Sequence, residues 1–268
     1  MVASGKQKFD GLGADYDRYR PRYPDALFDV LAARLSPIEE PHVVDAGAGT
    51  GVALEGLIPR LPAGARIDAV DISGDMVARG REKFPTVTWH VGPAEPFLES
   101  ITGIDLVVAA QAYQWMDRPR YLSAAADCLT PRGLVAIMQN NRDFTANPFL
   151  DAYESLLEEL SPGYSRSYRS FDIAAELGER FEAVTDHRVT WEWKVRREDF
   201  AAMTQTSTQV QRALAADADE FHRRLSALLD AHQSDGDVVL TYTSELFIAS
   251  DPRDMKEPAQ PTGRSFIS

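Results

Sequence analysis

The segment Asp45-Ala46-Gly47-Ala48-Gly49-Thr50-Gly51 has the residue types and spacing for ligand chemistry. It follows the apolar stretch His42-Val43-Val44 and precedes a helix of about residues 51–59. Glycines let the backbone turn sharply and let a ligand approach it closely. In an open parallel sheet such a turn lies outside the carboxyl ends of the strands, where ligands bind. The dinucleotide pattern G-x-G-x-x-G/A would put Val52 at its third position, where only a small residue fits. The spacing found is D-x-G-x-G-x-G. An acid two residues before the first glycine opposes a pyrophosphate and suits an ammonium group.

This motif resembles that of class I S-adenosylmethionine-dependent methyltransferases. The resemblance implies S-adenosylmethionine as cofactor, with Asp45, Gly47, Ala48 and Gly49 forming its cradle. Three further segments extend it. Val70-Asp71-Ile72-Ser73 closes the second strand with an acid that can accept both ribose hydroxyls, and Ile72 and Met76 would flank the adenine. Gly92-Pro93-Ala94-Glu95 looks like the family's G-x-A-E step, where Ala94 and Glu95 would read the adenine edge. Asp105 to Gln111 looks like its fourth strand, whose end, Ala110 and Gln111, would reach the methionine moiety. Tyr16-Asp17, Tyr19-Arg20-Pro21 and Tyr23-Pro24 are similar to the N-terminal signature of methyltransferases related to trans-aconitate methyltransferase. Gln111-Ala112-Tyr113-Gln114-Trp115 with Asp117 resembles another signature of that group.

Methyl transfer is an in-line displacement at a carbon on cationic sulfur. The protein mainly aligns nucleophile and methyl and excludes water. Tyr16, Tyr19 and Arg20, in an N-terminal arm over 1–24, are expected to fold over the cofactor, with an Arg or Tyr donor on its carboxylate. Gln114 stands where the resemblance often has His. Glutamine orients but does not titrate, so proximity and alignment are favoured over general-base catalysis. Tyr113 and Gln114 are the expected catalytic pair, with Trp115 beside them on the substrate side. Tyr164, Arg166, Tyr168 and Arg169 mix aromatics and cations in an acidic half of the chain, and are expected to roof the pocket over a small anionic or aromatic substrate. The five histidines do not form a metal set. Cys128 reads as a buried apolar residue.

Positioning these groups requires a doubly wound α/β domain. Apolar runs predict strands at 42–45, 66–72, 87–91, 104–110 and 133–139, alternating with helices at 24–35, 73–83 (Ser73 as cap) and 117–129. After about 140 the rhythm changes. Helices are expected at 148–160, 197–214 and 217–232, a strand within 181–195, and a final strand at 238–248. The reading is a Rossmann-like α/β fold: a seven-stranded doubly wound sheet over 25–250. By resemblance the last strand is antiparallel and a helical cap, about 145–180, follows the fifth strand. Residues 251–268, with three prolines, are expected to be a disordered tail.

The 268 residues carry 28 basic against 41 acidic side chains, net −13, without the basic excess of a nucleic-acid binder. One cysteine points to a reducing, cytoplasmic setting, and no signal peptide or membrane-spanning run is evident. Alternative readings are a cofactor-binding protein of this fold that does not methylate, such as a cyclase, and a nicotinamide-dependent oxidoreductase.

Overall fold

The structure is a computed structural model and describes residues 20–167, 171–205 and 207–253. Chain order is α1 (Asp25–Leu35), β1 (His42–Ala46), α2 (Val52–Leu57), β2 (Arg66–Asp71), α3 (Gly74–Lys83), β3 (Thr88–Val91), α4 (Ala94–Glu99), β4 (Ile104–Ala110), α5 (Arg118–Cys128), β5 (Leu129–Arg142), α6 (Pro148–Leu160), α7 (Ile173–Arg180), β6 (Phe181–Arg196), α8 (Arg197–Thr204), α9 (Thr208–His232) and β7 (Asp237–Pro252). Single turns of 3-10 helix occupy Ile58–Arg60 and Tyr113–Trp115. The seven strands form one sheet in the order β3-β2-β1-β4-β5-β7-β6. β1 to β5 pair in parallel, and β7 runs antiparallel to both β5 and β6.

Successive residues of a strand face opposite sides, and the central strands bury both. Val43, Leu106, Val108, Leu134, Ala136 and Met138 meet Leu27, Phe28, Leu31 and Leu35 of α1. Val44, Val107, Val135 and Ile137 meet Leu98 of α4, Tyr121 and Leu122 of α5, and Leu177 of α7. Burial on both faces explains why these strands read as continuous apolar runs.

β6 and β7 are 16 residues each and outrun their neighbour. β7 pairs with β5 only over Tyr242–Ala249, whereas its ladder with β6 continues to Asp237↔Arg196. The overhang stands beyond the carboxyl end of β5. It carries a second core, in which Val195, Val238, Leu240 and Tyr242 pack with Phe149, Tyr153, Phe200, Phe221 and Leu225. The expected cap over 145–180 is therefore corrected in two respects. α7 belongs to the main sheet's helix layer, packing on Ile173 and Leu177. The cap is α6 joined by α8 and α9, which arrive between β6 and β7 rather than after β5. α9 breaks at Asp217 (φ −158, ψ 94), whose carboxylate recaps the second half by accepting the Glu220 N–H. Among the described residues no helix is long and apolar enough to cross a membrane. The expected tail over 251–268 is corrected at its start, because β7 continues to Pro252; its residues from 254 lie outside the described residues.

Candidate active site

The glycine turn leaves β1 and folds toward β2: the Gly47 and Ala48 N–H groups both donate to the Val70 carbonyl, at 2.8 and 3.0 Å. Gly47 has φ +73, and a Cβ there would lie 2.5 Å from Ala112 Cβ. The turn is thus pressed onto the loop leaving β4, and only glycine permits both conformation and distance. Gly49, φ +58, has nothing within 4 Å of where its Cβ would be, so a ligand can lie against this backbone.

Two buried acids flank the turn. Asp45 is 1% exposed, and among the described residues neither carboxylate oxygen meets a hydrogen-bond donor. Burial, with the Asp71 carboxylate nearby, pushes its pKa up to about 7. Asp71 is better provided for: Oδ2 accepts the Gly49 N–H and Oδ1 the Ser73 N–H, both at 2.8 Å. Burial raises its pKa, opposed by those two donors. Each Asp71 oxygen keeps a second lone pair. An unpaired buried carboxylate is costly unless a proton or a cation compensates it. A ligand carrying an ammonium, a pair of vicinal hydroxyls and a flat apolar ring meets all these features. The ring's place is offered by Ile72 and Val91, exposed apolar residues at the ends of β2 and β3, with Val91 opposite Asp71 in the strand register. These residues therefore fit S-adenosylmethionine.

Other expected cofactor contacts are arranged differently. Met76 is buried, its N–H on the Ser73 hydroxyl; Ile72 is the accessible one of the pair. Ala48 and Ala94 are buried. The Glu95 carboxylate accepts the Asp117 N–H at 2.9 Å, tying α4 to the cap of α5. Tyr16 and Tyr19 lie outside the described residues. Arg20 is half-buried and near enough to Tyr242 to act on its hydroxyl electrostatically.

The loop leaving β4 holds the expected chemistry, and here the structure corrects the sequence. Gln111, just after Ala110, has φ +54, a strained conformation of the kind that clusters at functional sites. It is held by its N–H on the Met138 carbonyl (2.9 Å) and its Nε2 on the Asn140 carbonyl (2.6 Å). Gln114 donates its Nε2 to the Gln111 carbonyl at 2.8 Å; it braces Gln111 and does not line the cavity described below. Tyr113 is fully buried, its hydroxyl donating to Glu176 at 2.6 Å, and burial beside that carboxylate drives its pKa far up. It is not among the residues lining the cavity described below. Trp115 is half exposed and is likewise not part of the cavity wall.

A cavity of about 310 Å³ opens beside Gln111, between the carboxyl end of β5 and the second core. Asn140, Asn141 and Arg142 contribute from β5, Tyr242 from β7, and Glu154, Tyr164 and Arg166 from the cap side. Tyr164 and Arg166 were expected here; Tyr168 and Arg169 lie outside the described residues. Arg166 is consumed by ion pairs to Asp151 (2.6 Å) and Glu158 (2.8 Å). Arg142, Asn140, Glu154 and Tyr242 were not anticipated. The available signal was the polar run Asn140-Asn141-Arg142 ending an apolar strand, at the strand end where α/β sheets place ligands.

Comparison with known proteins agrees with this geometry. A family model described as a methyltransferase domain matches residues 43–133. The chain is similar to an uncharacterized methyltransferase of Schizosaccharomyces pombe, 28% identical over 81% of this chain and 84% of the relative. It is also similar to a trans-aconitate 2-methyltransferase of Deinococcus radiodurans, 31% identical over 53% of this chain and 59% of that one. Among solved structures, a protein described as a type II methyltransferase from Anaeromyxobacter dehalogenans shares the fold. Its TM-score is 0.64 at 24% identity, over 87% of this chain and 98% of that one.

Proposed function

The chain is a class I S-adenosylmethionine-dependent methyltransferase, and we propose that its methyl acceptor is a small molecule held in the cavity beside Gln111. The bound cofactor supplies a methyl group already activated by its cationic sulfur. Asp45 and the Gly47–Gly49 backbone hold the amino-acid end, Asp71 the ribose, and Ile72 and Val91 the base. The observation that carries the reading is the position of Gln111. One loop residue, locked by two hydrogen bonds, borders the cavity and directly precedes Ala112, which presses on the glycine turn.

Catalysis here is alignment. Of the acids in the cavity wall, Glu154 already receives Arg142 and the Tyr164 hydroxyl. Among the described residues no lining side chain is therefore poised to take a proton, and the acceptor is one that attacks in its ambient protonation state. The volume is in the range of small-molecule sites. Incubation with S-adenosylmethionine carrying a labelled methyl group, against a metabolite panel, tests this: label is expected in a low-mass product. Label recovered only in protein or nucleic acid, or cofactor bound without any transfer, defeats the proposal.

A further inference from the structure

Resting on the reading above, we infer that Arg142 anchors a carboxylate of the acceptor, so that the substrate is a small planar organic acid methylated at an atom remote from that carboxylate. Arg142 ends β5 and faces the cavity with 27% of its side chain exposed. Among the described residues its carboxylate partner is Glu154, at 3.2 Å. That is long for a charge-assisted pair, ordinarily about 2.7–2.9 Å. A guanidinium has five N–H donors in a fork that matches a carboxylate, and the contacts to Glu154 and to the Tyr153 side chain leave donors for a second acid.

The acid of the pair is in the opposite situation. Glu154 is 4% exposed at its side chain, and its second oxygen accepts the Tyr164 hydroxyl. A cationic substrate would find that carboxylate recessed and filled, whereas an anionic one finds the guanidinium presented. Arg166 adds no competing charge, because Asp151 and Glu158 hold it. Arg20 adds positive potential near Tyr242. Aromatic rings in the lining suit a planar body: Tyr242 is stacked on Trp191, with ring centroids 5.2 Å apart at 20°, and Phe144 also lines the cavity. A carboxylate clamped by a guanidinium is a poor nucleophile. The accepting atom is therefore at the other end of the molecule, toward Gln111.

The probes are benzoate and benzamide, equal in shape and different in charge, titrated calorimetrically into the full chain saturated with S-adenosylhomocysteine. Benzoate is expected to bind at least about ten-fold more tightly than benzamide. Because Arg142→Gln alone strands a buried Glu154, an Arg142→Gln/Glu154→Gln double variant is measured beside it. Both variants are expected to lose the preference, and Arg142→Lys to keep part of it. S-adenosylmethionine affinity should stay within about two-fold throughout, since Arg142 is not among the groups assigned to the cofactor. Equal binding of the two probes by the unaltered chain, including no binding of either, overturns the inference. So does a preference that survives in the double variant. Failure of the unaltered chain to bind S-adenosylmethionine would instead remove the underlying functional reading.

Discussion

Asp45 and Asp71 are two acids buried at one turn, and they differ in how burial is compensated. Asp71 receives two backbone N–H donors and Asp45 none among the described residues. The consequence is a pH dependence with a definite sign. The Asp45 pKa in the folded chain, about 7, is raised above its ordinary value of 3.8. Its contribution to cofactor-free stability is therefore fully present below about pH 4 and lost as pH rises through about 7. At 1.36 kcal/mol per pKa unit the loss is at most about 4 kcal/mol. Thermal unfolding should show Tm lowered by this group as pH rises from about 4 to about 7 in the cofactor-free chain. Asp45→Asn should fall less. Affinity for S-adenosylmethionine should rise over the same interval, as the ionised carboxylate becomes available to the ammonium group; a flat affinity profile speaks against that pairing. Asp71→Ala removes the proposed ribose acceptor together with the carboxylate that receives the Gly49 and Ser73 N–H groups. Calorimetry should find cofactor affinity reduced about 10–100-fold, from one or two charge-assisted hydrogen bonds of about 1.5–3 kcal/mol each.

Elements whose cause is local were legible in the sequence. Ser73 caps α3 by accepting the Met76 N–H, and β4 occupies Ile104–Ala110 as the apolar run predicts. The break in α9 falls at Asp217, where the charged helix was expected to begin. Elements whose cause is tertiary were not. α4 is only six residues long and α7 eight, too short for periodicity to register. The same limit misread Tyr113. Its aromatic ring next to Gln114 and Trp115 suggested a pocket. In the fold it packs edge-on to Tyr121, and its hydroxyl joins Arg118 on Glu176, so α7 is pinned to the start of α5. Tyr113→Phe should therefore cost about 0.5–1.5 kcal/mol of stability, measured by denaturant unfolding, with turnover unchanged. A large loss of turnover at unchanged stability would return Tyr113 to the reaction.

At the scale of the molecule two cores meet at one cavity. Apart from the expected contacts in the N-terminal arm, the residues assigned to the cofactor form a compact run of sequence on the sheet core, 45–111, which is why the cofactor was readable from motifs. The acceptor cavity draws on β5, β7 and α6, brought together by the β6–β7 overhang. No local spacing encodes that convergence, so Arg142 and Glu154 went unread while their neighbours in sequence were assigned to a strand and a helix. The division predicts separable functions. Phe200 is fully buried in the second core, between Phe149 and Tyr153, with ring centroids 5.0 and 5.1 Å away. Tyr153 and Glu154 are adjacent on α6, and Arg142 stacks on the Tyr153 ring at 5.1 Å. Phe200→Ala leaves a cavity behind the helix that positions Glu154, and should lower stability by about 3–5 kcal/mol. If the cap shapes only the acceptor side, this variant raises KM for the methyl acceptor while the S-adenosylmethionine Kd stays within about two-fold, because the cofactor residues sit on the other core. A parallel loss of cofactor affinity would mean that the two cores act as one unit, and that cap packing sets the glycine turn as well.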